Sequence, residues 1–281
     1  MRTSVKFSAT AVAVAALSIG LTACGSDSGK AGSSPDDALV VGASPTPHAD
    51  ILKFVKDNLA AKAGLKLEIK EYTDYVTPNT ALEDGDIGAN YFQTAAYLKD
   101  FNAKNGTHIV GVENVHVEPM GLYSKKDTKA SELKSGDTIA IPNDAVNEGR
   151  ALQLLAANDI ITLKDGAGST ATVSDIKDAK GLKFKEIEAA QTPRSLDDVT
   201  AAVINGNYAL EAKFKPSKDA LVLESGTNNP NANFLAVKKG NEDDPRVKKL
   251  EKLLNSDEVK QYIEKTYADG SVIPSFGAVK S

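Results

Sequence analysis

Residues 38–71 read ALVVGASPTPHADILKFVKDNLAAKAGLKLEIKE, and the hydrophobic spacing of this stretch decides the fold class. ALVVGAS (38–44) is a short apolar strand. Ile51, Leu52, Val55 and Leu59 then recur at helical spacing. LKLEIKE (65–71) alternates strictly, with Leu65, Leu67 and Ile69 on one face. Strand, helix and strand at this spacing form a βαβ unit, which predicts an α/β fold with a parallel sheet.

Outward from this unit, apolar strand-like runs recur at 109–112, 116–123, 138–141, 201–204 and 233–238. Helical periodicity fills 92–104, 147–158, 245–254 and 257–267, and no fixed-period repeat is visible. The chain has 281 residues, 41% hydrophobic and 25% charged, which suits a globular body of two lobes. Its 33 Lys and Arg stand against 38 Asp and Glu, and no basic stretch forms a nucleic-acid footprint. One Cys excludes an intrachain disulfide and a Cys-cluster metal site.

The amino terminus is unlike the rest. Arg2 and Lys6 precede an uncharged, small and apolar run from Ala9 to Leu21. That run is too short to cross ~30 Å of hydrocarbon as a helix, so residues 1–23 read as a secretory signal. It ends in Leu21-Thr22-Ala23-Cys24, which resembles the bacterial lipobox; the resemblance makes Cys24 the lipidated first residue of the mature chain. Residues 25–37, GSDSGKAGSSPDD, are too polar to fold and read as a flexible tether, so 24–37 form a lipid leash.

Four stretches could carry chemistry. In TIAIPNDAVNEGRALQLLAAN (138–158) a strand turns at Pro142-Asn143-Asp144 into a helix. Such a turn presents unpaired N–H groups and the positive end of the helix dipole, and Arg150, one turn in, can take a carboxylate through two bonds. Asn147 adds an amide; the alternative is a capped helix whose Arg150 pairs with an acid of this protein. In LDDVTAAVINGNYAL (196–210) a strand runs into Asn205-Gly206-Asn207-Tyr208, where open α/β sheets bind ligands, or simply turns. In YTDYVTPNTALEDGDIGANYFQTAAYLKDF (72–101), Tyr75, Tyr91, Phe92 and Tyr97 crowd one polar turn, either around a ligand tail or as core. His116-Val117-Glu118 places an imidazole and a carboxylate on one strand face, as a metal or acid–base pair would be.

Seven blocks, in order from about Val41 to Phe276, carry a resemblance: VGASPTPHADIL, YTDYVTPNTALEDGDIGANYFQ, HVEPMGLYS, TIAIPNDAVNEGRALQLL, LKDGAG, EAAQTPRSLDDVTAAVINGNYAL and VIPSF. Together they resemble the methionine-binding lipoproteins of bacterial ABC importers (NlpA/MetQ type). The resemblance implies a two-lobed periplasmic-binding-protein fold, type II-like. Its two open sheets are flanked by helices, with a ligand cleft between the lobes. Lobe 1 would comprise 38–121 plus 204–281, and lobe 2 residues 122–203, with crossover strands at about 116–123 and 201–205.

By the same resemblance Arg150 is the carboxylate clamp, Asn147 the amide beside it, and Asn205 the holder of the ligand's charged backbone groups. Tyr75, Phe92, Tyr97 and His116 match positions lining the side-chain pocket. Where the family commonly has a His after NYFQ, this chain has Thr94, which would enlarge the pocket or change its polar contact. The expected ligand is L-methionine, with D-methionine, a methionyl dipeptide or another apolar amino acid as alternatives. The expected partners are an ABC permease with its ATPase and, through Cys24, the extracytoplasmic face of the cell membrane. No cofactor, resident metal or nucleic acid is expected, and the protein should be a monomer without catalytic activity. The rival from another class is a metal-dependent hydrolase using His116 and Glu118.

Overall fold

The computed structural model describes residues 37–279; the expected signal segment, Cys24 and the tether up to residue 36 lie outside the described residues. In chain order the strands begin with β1 (Leu39–Ala43), β2 (Leu67–Glu71), β3 (Ala89–Thr94), β4 (Ile109–Val117), β5 (Gly121–Tyr123) and β6 (Thr138–Pro142). They continue with β7 (Thr162–Leu163), β8 (Ile176–Asp178), β9 (Lys183–Ile187) and β10 (Ala201–Ile204). The last three are β11 (Ala220–Leu223), β12 (Ala232–Lys238) and β13 (Ile273–Ala278).

Two sheets organise them. The first has the order β13-β4-β12-β3-β1-β2 and the second β11-β5-β10-β6-β9, with β7 and β8 as a separate ribbon. β1 pairs in parallel with β2, Leu39 opposite Leu67 and Val41 opposite Ile69, as the βαβ spacing requires. The connecting helical segment buries Ile51, Leu52 and Val55 against the same core as Leu39, Val41 and Leu67. In the second sheet β6 runs parallel to both β9 and β10. One face of that sheet buries Leu122, Ile139, Ile141 and Val203 against Leu152 and Leu155 of the helix Ala145–Ala157. Its other face buries Tyr123, Ala140, Ala202 and Ile204 with Leu196 and Tyr208.

Three expectations need correction. Helical periodicity places a helix from residue 92, but Ala89–Thr94 is a strand and the helix runs Ala95–Asn105. Pairing with both β1 and β12 outweighs the local pattern, and Thr94 becomes the helix cap. The stretch 116–123 is not one strand: β4 ends at Val117 in the first sheet and β5 begins at Gly121 in the second. β10 lies in the second sheet, and directly after it the helix Gly206–Glu211 packs against Pro45–Ala49 beside the first sheet. Ala220–Leu223, expected with the first lobe, pairs instead with β5 because its backbone is bonded across that edge.

Two breaks in these strands create the site. Glu118-Pro119-Met120 bridges β4 and β5, and Asn205 ends β10 and opens the helix Gly206–Glu211. The two meet closely: a Cβ at position 206 would stand 2.6 Å from Glu118 Cβ and 3.0 Å from Glu118 Oε2. Only glycine lets the helix start approach that carboxylate.

Candidate functional site

One cavity draws together Tyr75, Phe92, Gln93, Thr94, Tyr97 and Glu118 with Asn147, Arg150, Asn205, Gly206, Asn207 and Asn233. Its volume is about 30 Å³, room for a small number of waters. Of the eight site residues expected from the sequence, Tyr75, Phe92, Thr94, Tyr97, Asn147, Arg150 and Asn205 all line it. His116 does not. It is fully buried, and its ring is taken up by Tyr91 and Glu118.

The strand-turn-helix reading of 138–158 describes the local structure well. Asp144 caps the helix, its Oδ1 accepting from the Asn147 backbone N–H at 3.0 Å. The same carboxylate accepts twice from Asn147 Nδ2, at 3.1 and 3.0 Å. Asn147 Oδ1 in turn accepts from Asn205 Nδ2 at 2.9 Å. Asn147 therefore has its amide committed within the protein and fixes the orientation of Asn205. What remains is Asn205 Oδ1, buried without a hydrogen-bond partner on a residue that lines the cavity.

Arg150 shows that the two readings of it are compatible. Its Nε donates to Glu224 Oε1 at 3.0 Å and its Nη2 to Glu224 Oε2 at 2.5 Å, a two-bond pair with an acid of this chain. Nη2 also donates to the Glu118 carbonyl oxygen at 3.0 Å. Among the described residues the Nη1 end has no such partner, so one edge of the guanidinium is fixed while the other can serve a ligand. Burial works to raise the Glu224 carboxyl, but the hydrogen bond and charge of Arg150, with the Met120 N–H, hold it below the usual carboxylate range. Glu224 lies 74 residues from Arg150, and no sequence signal singles it out.

Behind the cavity lies a buried cluster. Glu118 Oε1 is 2.6 Å from His116 Nε2 and 3.1 Å from His48 Nε2, while His48 Nε2 is 3.0 Å from Asn233 Oδ1. With Glu118 accepting, His116 carries its proton on Nε2 and its Nδ1 accepts from the Tyr91 hydroxyl. His48 donates from Nε2 to Asn233 Oδ1, which leaves its Nδ1 buried without a partner among the described residues. Burial pushes His48 down to about 4 and His116 to about 3, so both are neutral near pH 7. Glu118 is raised by burial and eased back by His48, Arg150 and the Asn207 N–H. His48, His116 and Glu118 have the donor types and mutual spacing that could hold a metal ion. Here His116 bonds Glu118 and His48 bonds Asn233, while His48 Nδ1 stays without a partner among the described residues. The sequence reading found His116 and Glu118 as a pair, but His48 and Asn233 join them from 185 residues apart.

The aromatic wall is Tyr75, Phe92 and Tyr97, with ring centroids 5.7 to 6.2 Å apart, and Tyr208 stacks on Tyr75 at 4.9 Å. Tyr75 donates to Asn207 Oδ1 at 2.6 Å, and Tyr97 to the Tyr75 carbonyl at 3.0 Å, so the rings are tied at their polar ends. Thr94 stands at the edge, its Oγ1 accepting from the Tyr97 N–H at 3.4 Å as the helix cap.

A cleft between two α/β sheets, with a fixed guanidinium at one end and rings at the other, defines a ligand-capturing protein of the periplasmic-binding type. The sequence profile of the NlpA lipoprotein family matches residues 39–276, and the chain belongs to that family. It is 40% identical to the methionine-binding lipoprotein MetQ of Bacillus subtilis over 259 residues, 90% of this chain and 93% of that protein. A Burkholderia cenocepacia nutrient-binding protein, solved bound to methionine, superposes with TM-score 0.81 at 44% identity, covering 85% of this chain and all of that one. A periplasmic substrate-binding protein of an ABC transporter from Coxiella burnetii superposes with TM-score 0.80 at 42% identity, covering 84% and 100%. The fold is the two-lobed periplasmic-binding-protein fold of these relatives.

Proposed function

We propose that this protein is the substrate-capturing lipoprotein of an ABC importer, that its ligand is methionine, and that it catalyses no reaction. One observation carries the reading: Arg150, with one edge of its guanidinium bonded to Glu224, and Asn205, with an unpartnered Oδ1, line the same cavity as an aromatic wall. A zwitterion with an apolar tail matches that set. Its carboxylate would meet Arg150, its ammonium Asn205 Oδ1, and its thioether the rings of Tyr75, Phe92 and Tyr97. The relatives support the choice of methionine and of an ABC transporter as the partner.

A cavity of about 30 Å³ is far smaller than methionine, so capture involves the lobes parting and closing by a hinge motion. We assign the lobes to about 38–121 with 204–281, and to 122–203, with β11 returned to the second sheet. Residues 1–23 would be removed as a signal, and lipid on Cys24 would hold the body at the extracytoplasmic face of the cell membrane as a monomer. A second reading, a methionyl dipeptide, draws on one observation. A further cavity of about 130 Å³, lined by Asp74, Asn143, Asp144 and Glu188, shares Tyr75 and Tyr97 with the first.

Calorimetric titration of L-methionine into the purified body is the test. Saturable one-to-one binding is expected. A body that folds but releases no heat with L-methionine, D-methionine or a methionyl dipeptide would refute the reading.

A further inference from the structure

The charges around the cavity do not balance. Arg150 brings one positive charge, and Glu224 cancels it through two direct bonds. Glu118 brings a second carboxylate, and the groups that face it are of another kind. Its Oε1 accepts from the His116 imidazole, and the Asn207 N–H also bonds it, while His48 Nε2, which donates to Asn233 Oδ1, stands 3.1 Å away. None of these groups carries a full positive charge. Arg150 offers Glu118 only a bond to its main-chain oxygen and an attraction through space. Glu118 is 5% exposed and lines the cavity, and Asn205 Oδ1, also on a lining residue, is an orphan acceptor.

Nearby acids deepen the negative field. Asp144 binds Asn147, and Glu211 sits one turn beyond Asn207, whose Nδ2 is 3.5 Å from Glu211 Oε1. Burial raises Glu211 to about 7, so it is partly charged near neutrality.

From this inventory we infer that the site is an ammonium receptor first and a carboxylate receptor second. Glu118, with Asn205 Oδ1, is the counter-charge for the ligand's ammonium, and the ligand's carboxylate is dispensable by comparison. The inference rests on the methionine reading and deepens it. If the ligand loses its carboxylate, Arg150 keeps Glu224. If the ligand loses its ammonium, Glu118 and Asn205 Oδ1 are left buried with no cation, and an unpaired buried charge is the costlier defect. The ligand class therefore extends to apolar-tailed amines and to methionine with its carboxyl masked as an amide or carried into a peptide bond. It excludes acids that lack the amine.

The test uses the wild-type body with L-methionine, 3-(methylthio)propylamine and 4-(methylthio)butanoate, which share a tail and differ only in charged groups. The amine is expected to bind at least about tenfold more tightly than the acid. In Glu118→Gln the preference should shrink or reverse, with folding checked by circular dichroism. In Glu224→Gln, with Arg150 uncompensated, the amine should lose ground to the acid. Equal binding of amine and acid by the wild type, or tighter binding of the acid, overturns the inference while methionine binding stands. Failure of L-methionine itself to bind overturns the parent reading, and this inference with it. The wild-type pair decides the matter even where Glu118→Gln does not fold.

Discussion

At the polar end of the cavity, Arg150 and Asn233 are held by hydrogen bonds that reach 74 and 185 residues along the chain. At the aromatic end, Tyr75, Phe92 and Tyr97 come from one stretch of sequence and meet mainly through ring contact. The difference is one of consequence. Remove a group at the polar end and its partner is left charged or unsatisfied in a buried place, which costs more than the contact was worth. Remove Phe92 at the aromatic end and only area and dispersion are lost. The polar end should therefore decide which class of ligand enters, and the aromatic end should tune among tails.

The strongest attempt to break this comparison is Arg150→Ala. It strands Glu224, whose carboxyl the pair holds below the usual range, and removes the cation proposed to meet the ligand's carboxylate. A loss of roughly 2–5 kcal/mol, thirtyfold or more in methionine affinity, is expected by calorimetry. A mutant binding within threefold of wild type would remove Arg150 from the site.

The buried imidazoles offer a second attempt, read through folding rather than binding. With folded values of about 4 and about 3, His48 and His116 take up protons only on unfolding between pH 7 and 5. Unfolding then adds protons to these two groups, so their contribution to stability is full above about pH 6.5 and falls as the pH drops. Glu118 and Glu211, both raised by burial, act in the opposite sense over this range. The imidazole contribution is therefore read by difference: between pH 7 and 5 the wild type should lose more stability than His116→Gln, by about 2 kcal/mol, in denaturant titrations. An equal change in the two proteins would mean that His116 already carries its second proton when folded.

Asn205→Ala should act more mildly than Arg150→Ala. It removes an acceptor with no protein partner and the donor to Asn147 Oδ1, so ligand and Asn147 each lose one bond. About 1–3 kcal/mol of affinity should be lost. Unaltered titration curves would show that Asn205 Oδ1 does not meet the ligand.

What the sequence disclosed follows the same division. The turn at 142–144, its Asp cap and Arg150 were legible because caps, turns and first-turn charges are local grammar. The aromatic cluster was legible because its members lie within 75–97. Glu224, His48 and Asn233 were not legible, because each acts across a fold that no spacing reveals. Nor was β3, whose ANYFQT neither alternates cleanly nor separates from the helix after it. The place of Ala220–Leu223 in the second sheet was also hidden, since that short strand pairs with β5 only in three dimensions.

The smallest effect belongs to Thr94, where the chain leaves its family's common pattern. Thr94 has two roles: it edges the cavity beside Phe92 and Tyr97, and it caps the helix Ala95–Asn105 through the Tyr97 N–H. Thr94→His should separate them. Loss of the hydroxyl cap should lower stability by about 1 kcal/mol, read as a lower melting temperature. The larger imidazole should add contacts to a bound thioether and tighten L-methionine by about 1 kcal/mol, within the range by which tail contacts discriminate. A bulkier methionyl dipeptide should weaken in the same variant. Overpacking against Phe92 and Tyr97 opposes the gain, and the cavity's small volume makes that competition real. Titrating both ligands decides it: if both weaken together, the space beside Thr94 is already closed, and the tail selectivity assigned to this end of the cavity belongs to the rings alone.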